Sequence, residues 1–282
     1  MKKQMRIMDN SIAVVIPTFN RKHCISRAIE SVLSQTLAAN EIIVVDDGSS
    51  DGTGSFLEEK YPQLRYLSQS NLGVSAARNR GVIESSSKWL AFLDSDDEWL
   101  EKKLELQIQR LIENPEYQLI HSEEIWIRNG VRVNQMKKHQ KGGGHIFDKC
   151  LPLCAISPSS VILSRQLFEE VGGFDEELPA CEDYDLWLKI CSRYPVLFIE
   201  QALIKKYGGH DDQLSRLHWG MDRFRVQAMG NLLQSGNLNP DQITKTRTML
   251  LSKCEILLAG AEKRDNRETV DHYRSMIKKY GE

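Results

Sequence analysis

The sequence predicts an α/β protein, with a mostly parallel central sheet covered by helices on both faces and a helical extension at the C-terminus. Three observations predict it. Four short apolar runs within the first hundred residues alternate with helix-period patterns, as in successive βαβ units. Polar residues gather directly after three of those runs, where open parallel sheets place their ligands. From about residue 212 the strand-like runs cease and the pattern stays helical to the end.

The first run, Ile12–Ile16, is ended by Pro17. Ile25, Ala28, Ile29, Val32 and Leu33 follow at helical spacing. Glu41–Val45 is a second strand rich in β-branched residues. The turn Asp46-Asp47-Gly48-Ser49-Ser50-Asp51-Gly52 leads into a short helix over residues 55–60. Residues 64–67 form a weaker third strand, 74–83 carries strong helix formers, and Trp89–Leu93 is the fourth strand. Leu119–Val133 reads as two strands parted by Asn129-Gly130, a hairpin signal. Residues 137–145 (KKHQKGGGH) read as a mobile polar loop, and 161–163 and 196–199 as further strands. Between these, a helix places Tyr184, Trp187, Leu188 and Cys191 on one face, and the C-terminal pattern breaks near Ser235–Pro240. The implied organisation is one unit over 10–211, with a first half at about 10–100 and a second at about 115–211, followed by the extension at 212–282.

Composition narrows the function classes. With 282 residues, 41% hydrophobic, 27% charged and a net charge of -2, the chain can bury an ordinary core. It offers no global attraction to nucleic acid. No apolar run approaches the ~18 residues that span a bilayer, and the basic start lacks the apolar segment of a secretory signal. The six cysteines contain no CxxC pair. Cys150 and Cys154 lack a second pair at zinc-ligand spacing, so the thiols read as reduced, in a cytoplasmic protein.

The acidic turns carry the chemistry. Asp94, Ser95, Asp96 and Asp97 follow the buried run Trp89–Leu93, and carboxylates so close together resist ionising unless a cation joins them. Asp47 to Glu58 imitates a calcium loop, but a strand precedes it where that loop needs a helix. A phosphoacceptor receiver domain would leave both the second acidic cluster and the long second half unused. Turn propensity alone explains Asp46–Gly52; it does not explain a second acidic cluster at the same edge of the same sheet.

VIPTFNR, VVDDGSSDGT, NLGVSAARNRG and LDSDDEW, in this order, resemble the family 2 glycosyltransferases of the GT-A fold over roughly residues 12–215. The resemblance implies inverting transfer of a sugar from a nucleotide-diphosphate sugar, UDP by default, to an acceptor hydroxyl, as in the synthesis of a bacterial surface polysaccharide or glycolipid. It implies that Asp47 meets the base beside the backbone of Pro17, Thr18 and Phe19, and that Arg78 faces the nucleotide, a solvated helical arginine being the plainer alternative. In the DxD pattern Asp94-Ser95-Asp96, Asp94 would approach the ribose and Asp96 would hold Mn2+ or Mg2+. Asp97 would assist or cap the next helix. Glu182-Asp183, before Trp187, matches the family's acidic pair, with Asp183 as the base, Glu182 beside it and Asp185 as the alternative. His210 would complete the metal or diphosphate site, although the Arg that often precedes this His is replaced by glycine.

The implied partners are the donor and a saccharide or lipid-linked acceptor. Residues 218–226, which mix aromatic and basic side chains, could lie on the inner face of a membrane, or pack on the catalytic unit or on a second copy. Two other classes compete. A non-catalytic sugar-nucleotide binder would not need the intact EDYDLW, and a nucleotidyltransferase would need a glycine-rich basic loop after the first strand.

Overall fold

A computed structural model of the chain describes residues 10–209, 218 and 220–281. Among these, nine strands form one sheet. Strands β1 (Ile12–Thr18), β2 (Glu41–Asp46), β3 (Arg65–Ser68) and β4 (Trp89–Phe92) are parallel in the order β3-β2-β1-β4. The first strand continues past the expected stop, because Pro17 stands near its end and still pairs with Val45. Helices α1 (Ile25–Leu33), α2 (Thr53–Lys60) and α3 (Val74–Ile83) make the crossovers.

Strand β1 shows why both faces are covered. Its seven residues are all buried. Alternation sends Ile12, Val14 and Ile16 to one core with Ile25, Ala28, Ile29 and Val32 of α1, and Ala13 and Val15 to another with Ala77 and Val82 of α3. Helix α3 approaches so closely that a Cβ at Gly81 would lie 2.4 Å from Cγ1 of Val15.

Beyond β4 the sheet becomes mixed. Strand β8 (Ile162–Ser164) runs antiparallel to β4 and to β6 (Leu119–Arg128), and β7 (Val131–Val133) folds back on β6 through Asn129-Gly130. Strand β9 (Leu197–Gly208) lies parallel to β6 and antiparallel to the two-residue β5 (Glu98–Trp99). Helix α4 (Lys103–Glu113) follows β5. Residues 137–145 are not a mobile loop. The Lys141 ammonium reaches Glu124 at 3.2 Å, both side chains at most 4% exposed, and Gly144 bridges to Val196. A buried lysine needs a counter-charge, and that requirement fixes the segment.

Short helices α5 (Phe147–Cys150) and α6 (Arg165–Glu170) precede α7 (Glu182–Cys191), which buries Tyr184, Trp187, Leu188 and Cys191. The extension comprises α8 (Asp222–Gln234), α9 (Pro240–Glu262) and α10 (Arg267–Gly281), with the break where expected. Asn239 and Gln242 form a reciprocal cap that starts α9 after it. Phe224, Val226 and Met229 of α8 enter the core that holds Trp187, so Phe224 and Val226 of the stretch read as a membrane or packing surface pack inward. Among the described residues no helix is long and apolar enough to cross a membrane.

Candidate active site

The carboxyl ends of β1, β2 and β4 lie side by side, which brings the polar residues after them to one edge of the sheet. Pro17 and Thr18 are buried and Phe19 is 43% exposed. The carbonyl of Thr18 accepts from the amide of Asp47 at 2.8 Å. The two adjacent acids of β2 then part. Asp46 closes its own turn, accepting from Ser49 N at 2.8 Å and from the Tyr66 hydroxyl at 3.0 Å. Asp47 accepts from Gln69 Nε2 at 2.7 Å, Leu72 N at 2.9 Å and Gly73 N at 2.8 Å. It therefore shapes the loop before α3, where Gly73 has a φ of 96° that disfavours a side chain.

Arg78 is no solvated arginine. It is 3% exposed and holds Asp94 and Glu182, each at 2.6 Å. Burial opposes its charge, yet these two carboxylates outweigh that and push its pKa up. One guanidinium thus ties the acidic loop after β4 to the first turn of α7. Burial pushes the Glu182 carboxyl up despite Arg78.

The loop residues after Asp94 diverge. Ser95 is buried and its carbonyl accepts from the Cys24 thiol. The backbone carbonyl of Asp96 accepts from Arg27, and its side chain is half-buried. Asp97 neither caps α4, whose N-cap is Lys102, nor faces solvent. It is 1% exposed and accepts from the Ser159 hydroxyl at 2.6 Å and from Tyr207 N at 3.0 Å. Burial, then Asp96 and Asp94, push its carboxyl well above the usual range. Three acids in four residues have three fates, set by whether each one meets α3, α1 or β9.

Among the described residues no group of three or more His, Cys, Asp or Glu is arranged to hold a metal. A divalent cation fits this donor set in a narrower way. Asp94 is engaged by Arg78 and Asp97 is turned inward, and the half-buried Asp96 offers the oxygen donors that a hard cation favours. His210 lies outside the described residues.

Asp183 is half-buried in the first turn of α7 and accepts from Tyr184 N at 2.7 Å. The Cys154 thiol lies 3.1 Å from its Oδ2. It lines a cavity of about 320 Å³ together with Glu124, Trp126, Lys141, Cys154 and Lys206. Asp185 does not share this wall. It is buried and ion-paired to Lys189 at 2.6 Å, and burial pushes its carboxyl up.

The sequence reading missed Lys206. Burial opposes its charge, but Glu124, Asp97, Asp94 and Asp183 outweigh that and raise its pKa, so it is the cation between the acidic loop and Asp183. The signal was available: Lys205 and Lys206 are consecutive in a strand, so one of them must face inward. Glu124 is the second omission. Burial disfavours its charge, yet Lys141, Lys206 and the indole of Trp126 lower its pKa to about 2.

Comparisons with known proteins bear on the family and the fold. The model of glycosyl transferase family 2 matches residues 13–172. The chain is 36% identical over 184 residues to the Escherichia coli UDP-Glc:alpha-D-GlcNAc-diphosphoundecaprenol beta-1,3-glucosyltransferase WfgD, covering 64% of this chain and 70% of that one. It is 35% identical over 209 residues to an uncharacterized glycosyltransferase of Rickettsia bellii, covering 73% of this chain but only 30% of the relative. The crystal structure of S. aureus TarS 1-349 in complex with UDP-GlcNAc superposes with a TM-score of 0.67 at 19% identity, over 86% of this chain and 71% of that one. This last likeness concerns the fold, which is GT-A.

Proposed function

The chain belongs to glycosyl transferase family 2, and on that premise we propose that it moves a sugar from a UDP-sugar to a hydroxyl of a saccharide or lipid-linked acceptor, with inversion, using Asp183 as the base. The observation that carries this is the Arg78 bridge, which sets Asp94 of the acidic loop and the α7 turn bearing Asp183 on one guanidinium. The named activity of WfgD supports a lipid-linked acceptor in bacterial surface polysaccharide or glycolipid synthesis. The UDP-GlcNAc held by TarS supports the donor class. Residues 10–211 form the catalytic unit and 212–282 the extension. Six free thiols fit a reducing cytoplasm.

Asp47 and the Pro17–Phe19 segment receive the base, Asp94 the ribose, and Asp96, joined by His210, a Mn2+ or Mg2+ ion. When bound, that ion offsets the negative charge growing on the departing diphosphate. The acceptor oxygen attacks the anomeric carbon from the face opposite the diphosphate. Its proton passes late to Asp183, as the carbon–oxygen bond to phosphate breaks and the electron pair leaves with the diphosphate. Lys206 keeps positive charge in the same cavity as Asp183.

The test separates binding from chemistry in one set of variants. Asp183→Asn leaves nucleotide-sugar affinity nearly unchanged and lowers transfer by about 10²-fold or more, the scale of a general base. Asp96→Asn weakens donor binding in Mn2+ and nearly abolishes transfer. Transfer that survives Asp183→Asn, or full activity after exhaustive chelation, would overturn the respective assignment.

A further inference from the structure

The cavity that Asp183 lines contains a group that the reaction as described does not use. The Cys154 sulfur lies 3.1 Å from Asp183 Oδ2 and 3.2 Å from the carbonyl oxygen of Ile156. A thiol has one hydrogen, so it can serve only one of these acceptors at a time. Among the described residues, the hydrogen bonds that reach the Asp183 carboxylate come from this thiol and from Tyr184 N. The Tyr184 amide is fixed by the chain. The thiol can turn.

We propose that Cys154 is a positioning residue for the base, its thiol alternating between Asp183 and the Ile156 carbonyl as Asp183 loses and gains the acceptor's proton. This rests on Asp183 being the base. While Asp183 is ionised, it is the stronger acceptor, since a hydrogen bond to a charged group exceeds one to a neutral carbonyl. The thiol then holds the carboxylate against the cavity. Once the acceptor hydroxyl has given up its proton, the neutral acid attracts the thiol less. The hydrogen swings to Ile156, and it returns when the proton leaves for water. No bond to sulfur forms or breaks.

The surroundings suit a permanent donor. Burial, then the charge of Asp183, push the Cys154 thiol well up, so it stays protonated. The charged and titratable groups around the pair are Lys206 and Tyr207 on β9, Glu124 and Arg128 on β6, His139 and Lys141 on the segment after β7, Arg225 on α8, Glu182 on α7, Cys181 just before it, and Cys150 on α5. The neutral thiol adds a directed bond without further charge.

The experiment compares pH–rate profiles of the full chain with a UDP-sugar and Mn2+ for the wild type, Cys154→Ala and Cys154→Ser. Removing the donor moves the acid limb of kcat to higher pH by roughly half a unit to one unit and lowers kcat at neutral pH by about three- to ten-fold, with donor Kd unchanged. The serine hydroxyl keeps a donor and restores kcat to within about two-fold of the wild type. In an Asp183→Asn background the alanine change adds no further loss, because the thiol acts through that carboxylate. If Cys154→Ala fails to fold, Cys154→Val keeps the volume and removes the donor. An unmoved acid limb, or equal losses in the alanine and serine variants with a matching fall in melting temperature, would overturn the proposal and leave the base assignment standing. Full transfer by Asp183→Asn would overturn both.

Discussion

Replacing Arg78 by methionine removes the guanidinium that ties Asp94 of the loop after β4 to Glu182 of α7. The guanidinium is 3% exposed and 2.6 Å from each of Asp94 and Glu182. Breaking a buried pair from one side costs about 3–5 kcal/mol, because the partner charge stays behind without compensation. The two partners do not suffer equally. Asp94 is 28% exposed and can recruit water; Glu182 is 6% exposed and cannot. Its escape is to take a proton, which burial already favours. Without Arg78 the folded-state pKa of Glu182 rises further above its unfolded value. The neutral form's contribution is then fully present below the unfolded pKa and is lost as pH rises through the folded one. Arg78→Met should therefore cost about 3 kcal/mol near pH 5 and approach about 5 kcal/mol by pH 8. At the lower figure the melting temperature falls by about 6–12 °C. Arg78→Met/Glu182→Gln, which leaves no buried charge at the second site, should recover at least about 1 kcal/mol at pH 8. Denaturant titrations of the single and double variants at both pH values measure this. A loss below about 1 kcal/mol, or one that is the same at both pH values, would show that Arg78 does not couple the two halves.

Gly81→Ala should lower stability by about 1–2 kcal/mol even though alanine favours helix, because the new Cβ meets Val15 Cγ1 at 2.4 Å inside the core; a denaturation midpoint at or above the wild-type value would refute the close approach. Glu124, with its pKa held near 2 by Lys141 and Lys206 against burial, stabilises the fold fully above about pH 4.5 and progressively less as pH falls toward 2. The gap in melting temperature between the wild type and Lys141→Met should accordingly narrow across that interval, and a constant gap would remove the ion pair from the account.

Local pattern carries much of this fold. The four parallel strands, their crossover helices, the hairpin at Asn129-Gly130 and the break before Pro240 all follow from apolar period and turn chemistry, which act over a few residues. That the strands ending at Thr18, Asp46 and Phe92 lie side by side was legible for the same reason, since a parallel sheet brings like ends together. What could not be read is pairing across long stretches of sequence. Arg78 and Glu182 are 104 residues apart, and nothing near either one indicates the other. Asp97 resembles Asp96 in sequence, but β9 and Ser159 turn it inward. Lys141 looked solvated among glycines and lysines until Glu124, seventeen positions earlier in the chain, gave it a buried partner.

Strand β5 holds only Glu98 and Trp99, immediately after the acidic loop, and its sole ladder is with Ile204 and Lys205. The loop is therefore a span with its two piers at distant places in the sheet, one on β4 and one at the far edge beyond β9. During synthesis the first pier is available early, but the second does not exist until about a hundred further residues have been made. An emerging chain must carry its acidic loop unfastened for that whole interval, when loop closure over so long a contour is slow. The same geometry constrains recombination. A chimaera that exchanges the first hundred residues between relatives replaces one pier and keeps a foreign other, so a crossover should carry residues 197–208 along with the loop they hold.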